Sequence, residues 1–410
     1  MGRTRRGWTP VVLMVGLLLA GCGSVERRLG DSPEVLAEFR FDPNAPWVFL
    51  PVTLEGEQCR FILDTGCTHT MWDASLKDRL GKRFLWPQKG TAVGGKSFTY
   101  EYFRAPEAFL GPLKVRRDGL IAVADLAGIS TGLQKKVNGI LGMDFLRHYI
   151  VQIDFEQASV TFLKSRKGIA QADWGAPVRI KQKFLSSLPY IEGQVDGVQA
   201  TFLADTGWGR RPVSGELAGS VFKKARSMTL SGTLQALVTT MAETNTLRTQ
   251  AFALSDRFRL GGLEYEDIVF YKGHESTLGV RFFFGHVVTF DFPARKLYLK
   301  RIRDTDVSSS VELRLKGLGL ALRRRRGALS VCMAEVNGVG YRKGVRRNDT
   351  LLAVDGKDVS TYSLAALVRV LSDLHKGPDG IVVFTFTRGE VVEDISVGKT
   401  DFAEKEDGTD

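Results

Sequence analysis

Phe61-Ile62-Leu63-Asp64-Thr65-Gly66 is written a second time in this chain, as Phe202-Leu203-Ala204-Asp205-Thr206-Gly207. One Asp-Thr-Gly says little, because Asp and Gly are ordinary turn residues at the end of a strand. The second copy says more, and the likeness extends upstream. Glu55-Gly56-Glu57-Gln58-Cys59-Arg60 leads into the first copy and Asp196-Gly197-Val198-Gln199-Ala200-Thr201 into the second, with no gap before either Asp. Each copy therefore reads as a hairpin turn, an apolar strand and an Asp at the strand's end.

A second landmark recurs downstream. Gly139-Ile140-Leu141-Gly142-Met143-Asp144-Phe145 answers to Ser276-Thr277-Leu278-Gly279-Val280-Arg281-Phe282, at nearly the same distance from its Asp. Both run on into an apolar strand ending in Asp-Phe, at Asp154-Phe155 and Asp291-Phe292, and then through a short turn into Val160-Thr161-Phe162-Leu163 or Leu297-Tyr298-Leu299-Lys300. The turns Leu110-Gly111-Pro112-Leu113 and Leu260-Gly261-Gly262-Leu263 match as well. Duplication of a whole folding unit is the simplest account.

This order of motifs resembles the retropepsin-like aspartic proteases, with two units fused in one chain as in the pepsin-like members, over roughly residues 45 to 302. The resemblance implies a mostly β protein with two homologous lobes facing each other across a cleft, and Asp64 and Asp205 as the catalytic pair. Two carboxylates about 3 Å apart cannot both ionise, so one serves as acid while the other is base. The resemblance assigns to Thr65 and Thr206 hydroxyls that brace the two loops. Gly66 and Gly207 permit the tight turn and close backbone approach. Gly142 and Gly279 would lie where a strand passes behind each loop. A glycine-turned hairpin, Thr91 to Tyr100 around Gly94 and Gly95, stands where the family's flap closes over substrate; a plain surface hairpin fits the same residues. In the second lobe, Leu230-Ser231-Gly232-Thr233-Leu234 occupies the corresponding place with less hairpin character. Two departures fall just after the motifs. The family usually has Ser, Thr or Ala there, and this chain has Cys67 and the bulky Trp208, which would tilt the second loop or wall the cleft.

The first 22 residues read as an export signal: Arg3, Arg5 and Arg6, an apolar run from Val11 to Leu19, and Leu19-Ala20-Gly21-Cys22. That last stretch resembles the bacterial lipoprotein box, which implies lipid on Cys22, a mature chain beginning there and a place on the outer side of a membrane of the cell envelope. Residues 23–44, with mixed charge, Gly and Pro, read as a tether. Three of the four cysteines remain, Cys59, Cys67 and Cys332, an odd number that excludes a complete disulfide framework; Cys59 and Cys67 lie in one lobe and could pair, and buried thiols are the favoured reading. The five histidines are scattered and no Cys/His spacing suits zinc, so no metal and no cofactor are expected. The net charge of +11 is spread along the chain without a nucleic-acid-binding module, and no nucleic-acid partner is expected.

Beyond a polar linker at 301–310 the chain resembles a bacterial PDZ domain. The motifs are Gly317-Leu318-Gly319-Leu320, the strand from Leu329, Asn348-Asp349 followed by Asp355-Gly356, a helix from about Ser363 to Leu374, and the strand from Ile381. The resemblance implies an α+β unit that adds an extended peptide to a sheet edge and holds its terminal carboxylate at Gly317 to Leu320. Arg323 to Arg326 read as a solvated strand edge. The expected organisation is signal 1–22, tether 23–44, lobes 45–170 and 171–302, PDZ-like unit 311–398 and acidic tail 399–410. Two function classes fit: an aspartic endopeptidase acting on polypeptides, and a non-catalytic, lipid-anchored peptide-binding protein built on the same lobes.

Overall fold

The computed structural model describes residues 34–398 apart from 46, 85, 92–96, 116–118, 168–170, 182, 184–185, 209–212, 216–230, 241–242, 256, 273–275, 303–312, 316–317, 326 and 377–379. The expectations placed on Cys22, Gly94, Gly95 and Gly317 lie outside these residues. Among the described residues the chain is mostly β, in four sheets.

Two nine-stranded sheets carry the duplication. The first runs, in spatial order, Gln88–Thr91, Ser97–Arg104, Leu120–Ala124, Met71–Asp73, Gly139–Leu141, Glu57–Leu63, Phe49–Leu54, Ala108–Leu110 and Leu113–Lys114. The second runs Ser231–Thr240, Glu243–Ser255, Ile268–Lys272, Val213–Gly215, Thr277–Gly279, Val198–Asp205, Tyr190–Val195, Phe258–Leu260 and Leu263–Tyr265. The two orders match strand for strand, including the parallel insertion of Gly139–Leu141 beside Glu57–Leu63 and of Thr277–Gly279 beside Val198–Asp205. The hairpins entering the Asp strands turn on left-handed pairs, Glu55-Gly56 (φ 49° and 83°) and Asp196-Gly197 (φ 46° and 85°). Such turns match the twist of the flanking strands and fix the register, so alternate side chains reach the core. The second lobe departs from expectation in one place. Ser231–Thr240 and Glu243–Ser255 pair along nearly their whole length, so the segment that looked poor in hairpin character forms a longer hairpin than its counterpart in lobe 1.

A six-stranded sheet joins the lobes: Val35–Arg40, Ser159–Leu163, Ile150–Asp154, His286–Asp291, Lys296–Arg301 and Ala176–Arg179. Its seam is the antiparallel pair Ile150–Asp154 and His286–Asp291. Gln152 faces Thr289 at the centre, and the Gln152 side-chain amide donates to Thr289 Oγ1 at 2.9 Å. The expected tether at 23–44 is corrected here, since Val35–Arg40 is an ordered edge strand paired with Ser159–Leu163. It is the lobe-1 partner of Ala176–Arg179. Its alternation places Ala37 and Phe39 against the core, which a tether reading of mixed composition misses. One continuous apolar core runs through both lobes, from Val48 and Phe61 to Phe202 and Leu299, so the lobes fold as one body.

The C-terminal unit has its own core. Its sheet runs Leu313–Leu315, Leu320–Arg325, Ala328–Ala334, Thr350–Val354, Ile381–Arg388 and Val391–Gly398, with Lys357–Asp358 added beside Thr350–Val354. Helix Leu364–Lys376 packs Leu364 and Leu367 into that core. Asn348 is left-handed at φ 75°, a conformation Asn tolerates better than most residues. Buried Asp349 takes a two-pronged ion pair from Arg388, with both contacts at 2.7 Å. The expectation of a fully solvated arginine edge is corrected at Arg324. Its side chain is largely enclosed and pairs with Glu266 of lobe 2, while the neighbouring Asp267 accepts from the Leu364 amide at 2.9 Å. The Glu266-Asp267 turn thus holds the C-terminal unit by one strand and one helix end. Among the described residues no helix is long and apolar enough to cross a membrane.

Candidate active site

Each Asp-Thr-Gly sits at the end of a strand whose inward residues, Phe61 and Leu63 or Phe202 and Ala204, are buried in the shared core. That anchoring aims both loops at the lobe interface. The two threonines cross over there. Thr65 N–H donates to Thr206 Oγ1 and Thr206 N–H to Thr65 Oγ1, each at 3.0 Å. The hydroxyls continue across the interface, Thr65 Oγ1 to Ala204 O at 2.6 Å and Thr206 Oγ1 to Leu63 O at 2.8 Å. Four reciprocal bonds between groups removed from water fix the loops against each other, because breaking any one strands a buried partner.

The lock brings the carboxylates together. Asp64 and Asp205 hydrogen-bond to each other through their side chains. Each also accepts from its own loop, Asp64 Oδ1 from Gly66 N–H at 2.8 Å and Asp205 Oδ1 from Gly207 N–H at 2.7 Å. The glycines are required by the space. A Cβ on Gly66 would stand 2.3 Å from Asp205 Cγ, and one on Gly207 would stand 2.2 Å from Asp64 Cγ. Each glycine therefore lies against the carboxylate of the other lobe.

Burial raises the proton affinity of both acids. Burial raises the proton affinity of Asp64, and its hydrogen bonds work against that. Burial pushes Asp205 well above the ordinary carboxylate range, and the charge of Asp64 beside it pushes further. Asp205 is only 3 % exposed, whereas Asp64 is half-buried. Two such groups titrate as a unit, and the pair holds a single proton between them. The Cys67 thiol is also pushed up by burial, then by the Asp64 charge, and is therefore a neutral neighbour. Cys59, Cys67 and Cys332 are free thiols. No cluster of potential metal ligands occurs among the described residues.

Behind the loops, Gly142 passes so close that a Cβ there would lie 2.6 Å from the His69 backbone. Met143 N–H donates to Cys67 O at 2.8 Å, and Val280 N–H donates to Trp208 O at 3.0 Å. Trp208 keeps its loop in the same pattern as Cys67 and does not come between the acids. Its half-buried indole has no hydrogen-bond partner among the described residues.

Two supports were not foreseen. Thr70 N–H and Oγ1 both donate to Asp144 Oδ1 at 2.7 Å, and Gly142 N–H donates to Thr70 Oγ1 at 3.1 Å, which stiffens the first loop from within lobe 1. The second loop is held from across the interface, where Trp47 Nε1–H donates to Gly207 O at 2.6 Å. Asp144 lies inside a quoted motif, and its replacement by Arg281 in the repeat was the available signal. Trp47 gave none, because its partner lies 160 residues away. In the C-terminal unit Leu318 and Leu320 are buried and Gly319 is left-handed at φ 64°. The edge of Leu320–Arg325 is paired by Leu313–Leu315 over Leu320 to Leu322.

Residues 50–145 match the family model described as aspartyl protease, a stretch that spans the first Asp-Thr-Gly and its supporting Gly142. Comparison with curated proteins returned no match.

Proposed function

We propose that this chain is an aspartic endopeptidase in which Asp64 and Asp205 activate one water for peptide hydrolysis. The observation that carries the reading is the contact between the two carboxylates, held by the Thr65 and Thr206 crossover. In the free state the pair holds one proton between them. A water bound between them loses a proton to Asp64 as its oxygen attacks the scissile carbonyl carbon, while Asp205 gives its proton to the carbonyl oxygen. The tetrahedral diol then collapses. Asp64 protonates the departing nitrogen, its C–N bond breaks, and a diol hydroxyl returns its proton to Asp205. Water has been added, the pair again holds one proton, and no metal enters any step.

The polypeptide substrate would lie in the cleft between the lobes. The C-terminal unit is read as a PDZ-like module that selects or presents chain ends near Leu318, Gly319 and Leu320, and Cys22 as the lipid attachment that keeps the enzyme on a membrane of a bacterial envelope. The test incubates an unfolded polypeptide with the full chain in ¹⁸O-enriched water and reads fragments by mass spectrometry. New carboxyl termini carrying the label are expected from the wild type, and none from Asp64→Asn or Asp205→Asn. Undiminished cleavage by both variants would refute the dyad.

A further inference from the structure

We infer that Trp47 is a positioning residue for Asp205, acting across the lobe interface through the Gly207–Trp208 peptide unit. The inference rests on the proposed role of the Asp64 and Asp205 pair. Trp47 stands at the entrance to the Phe49–Leu54 strand of lobe 1, packed against the Ile62, Met71 and Ile140 cluster with its neighbour Phe49. From that platform its indole N–H reaches the Gly207 carbonyl of lobe 2 at 2.6 Å. The same peptide unit carries the Trp208 N–H, which closes the turn by donating to the Asp205 main-chain carbonyl at 3.3 Å, while the N–H of Gly207 itself donates to Asp205 Oδ1 at 2.7 Å. One plane therefore has its oxygen tied to lobe 1 and its N–H tied back to the main chain of the residue that carries the lobe-2 acid. A planar peptide cannot turn one end without the other, so holding the oxygen holds the N–H. Donation to the carbonyl also polarises the unit and strengthens the opposite N–H as a donor.

The repeat supplies an internal control. Leu63 N–H donates to Val48 O and Ala204 N–H to Pro189 O, which aligns Trp47 with Leu188. The Leu188 side chain has no N–H to offer the Gly66 carbonyl. Lobe 1 instead stiffens its loop through Thr70 and Asp144, and lobe 2 has Arg281 where Asp144 would be. The loop whose repeat has Arg281 in place of the Asp144 carboxylate is the one held by Trp47. The groups facing Asp205 are the Asp64 carboxylate, the neutral Cys67 thiol and the amides of its own loop, and Trp47 acts on that loop at Gly207, whose N–H donates to Asp205 Oδ1.

The experiment compares wild type, Trp47→Phe and, as a surface control, Trp86→Phe, whose residue is 81 % exposed. Trp47→Phe keeps an aromatic ring and removes the donor. The pH profile of kcat/KM should show its upper limb moved to higher pH by about one unit, from weakening one hydrogen bond to a charged acceptor. KM should be unchanged and kcat reduced several-fold. Trp86→Phe should match the wild type. A uniform loss of activity with an unmoved profile, accompanied by a lower melting temperature, would mean that Trp47 only fills space, and would overturn the inference. A second readout does not depend on turnover: ¹³C-carboxyl titration of Asp205, assigned by its loss in Asp205→Asn. An upward shift of that titration in Trp47→Phe supports the inference even if the wild type cleaves nothing, in which case only the proposed function fails. An unshifted titration overturns it.

Discussion

Lobe 1 and lobe 2 have the same strand order around the same Asp-Thr-Gly loop, yet they stiffen that loop by different means. In lobe 1 Thr70 and Asp144 form a local clasp. In lobe 2 the equivalent of Asp144 is Arg281, and the loop is held by Trp47 from the other lobe. What stays equal is the threonine crossover, whose bonds come in matched pairs. The difference teaches that duplication conserves what the two loops do to each other and frees what each borrows from its surroundings.

The largest expected effects test the equal part. Asp64→Asn and Asp205→Asn should each reduce turnover by about three orders of magnitude or more, measured as initial rates of peptide cleavage. Gly207→Ala should do nearly the same, since its Cβ would collide with the Asp64 carboxylate. Thr65→Val and Thr206→Val should each cost about 2–4 kcal/mol in denaturant unfolding, because each leaves buried amide and carbonyl partners unpaired. Unequal losses would break the symmetry inferred for the crossover.

The next effect sharpens the unequal part. His286 occupies the place that Tyr149 holds in lobe 1. Its ring is buried, touching Tyr265 Oη at 2.8 Å and Phe282 O at 3.2 Å, and burial, aided by the Arg301 charge, lowers its pKa to about 4. The unfolded chain takes up this proton near the ordinary value of about 6.5, so between those limits it binds more protons than the folded one. Stability from His286 is thus complete above about 6.5 and is lost as pH falls toward about 4, on the order of 3 kcal/mol in all. The raised acids of the dyad act with opposite sign, favouring the fold as pH falls. The difference between wild type and a His286→Gln variant isolates the histidine: its pH dependence should be flatter over this window. Identical slopes would contradict the assignment.

Smaller effects lie further from the dyad. Asp144→Ala should destabilise by about 1–3 kcal/mol through the stranded Thr70 amide, while Arg281→Ala at the equivalent place should change stability by about 0.5 kcal/mol or less. Asp267→Ala removes the acceptor at the end of helix Leu364–Lys376 and should cost about 1 kcal/mol, seen as faster hydrogen exchange at the Leu364 amide.

What was legible in the sequence was what the chain states locally. Glu55-Gly56 and Asp196-Gly197 announce their hairpins because few other pairs accept left-handed backbone. Phe61 and Phe202 announce buried strands, and Gly142 announces a close crossing. What was not legible depends on partners far along the chain. Val35–Arg40 is a strand only because Ser159–Leu163 offers it an edge, and its mixed charge reads as a tether until that edge is known. Arg324 looked solvated because Glu266 belongs to another unit. The long hairpin of Ser231–Thr240 and Glu243–Ser255 lacks the glycine turn that advertised its counterpart in lobe 1.

The most direct test of the shared proton is a ¹³C-carboxyl titration of the wild-type protein, with Asp64 and Asp205 assigned through their Asn variants. Two separated steps belonging to the pair are expected, the upper one well above the ordinary carboxylate range. Two carboxyls titrating together as isolated acids near the ordinary range would contradict the shared proton.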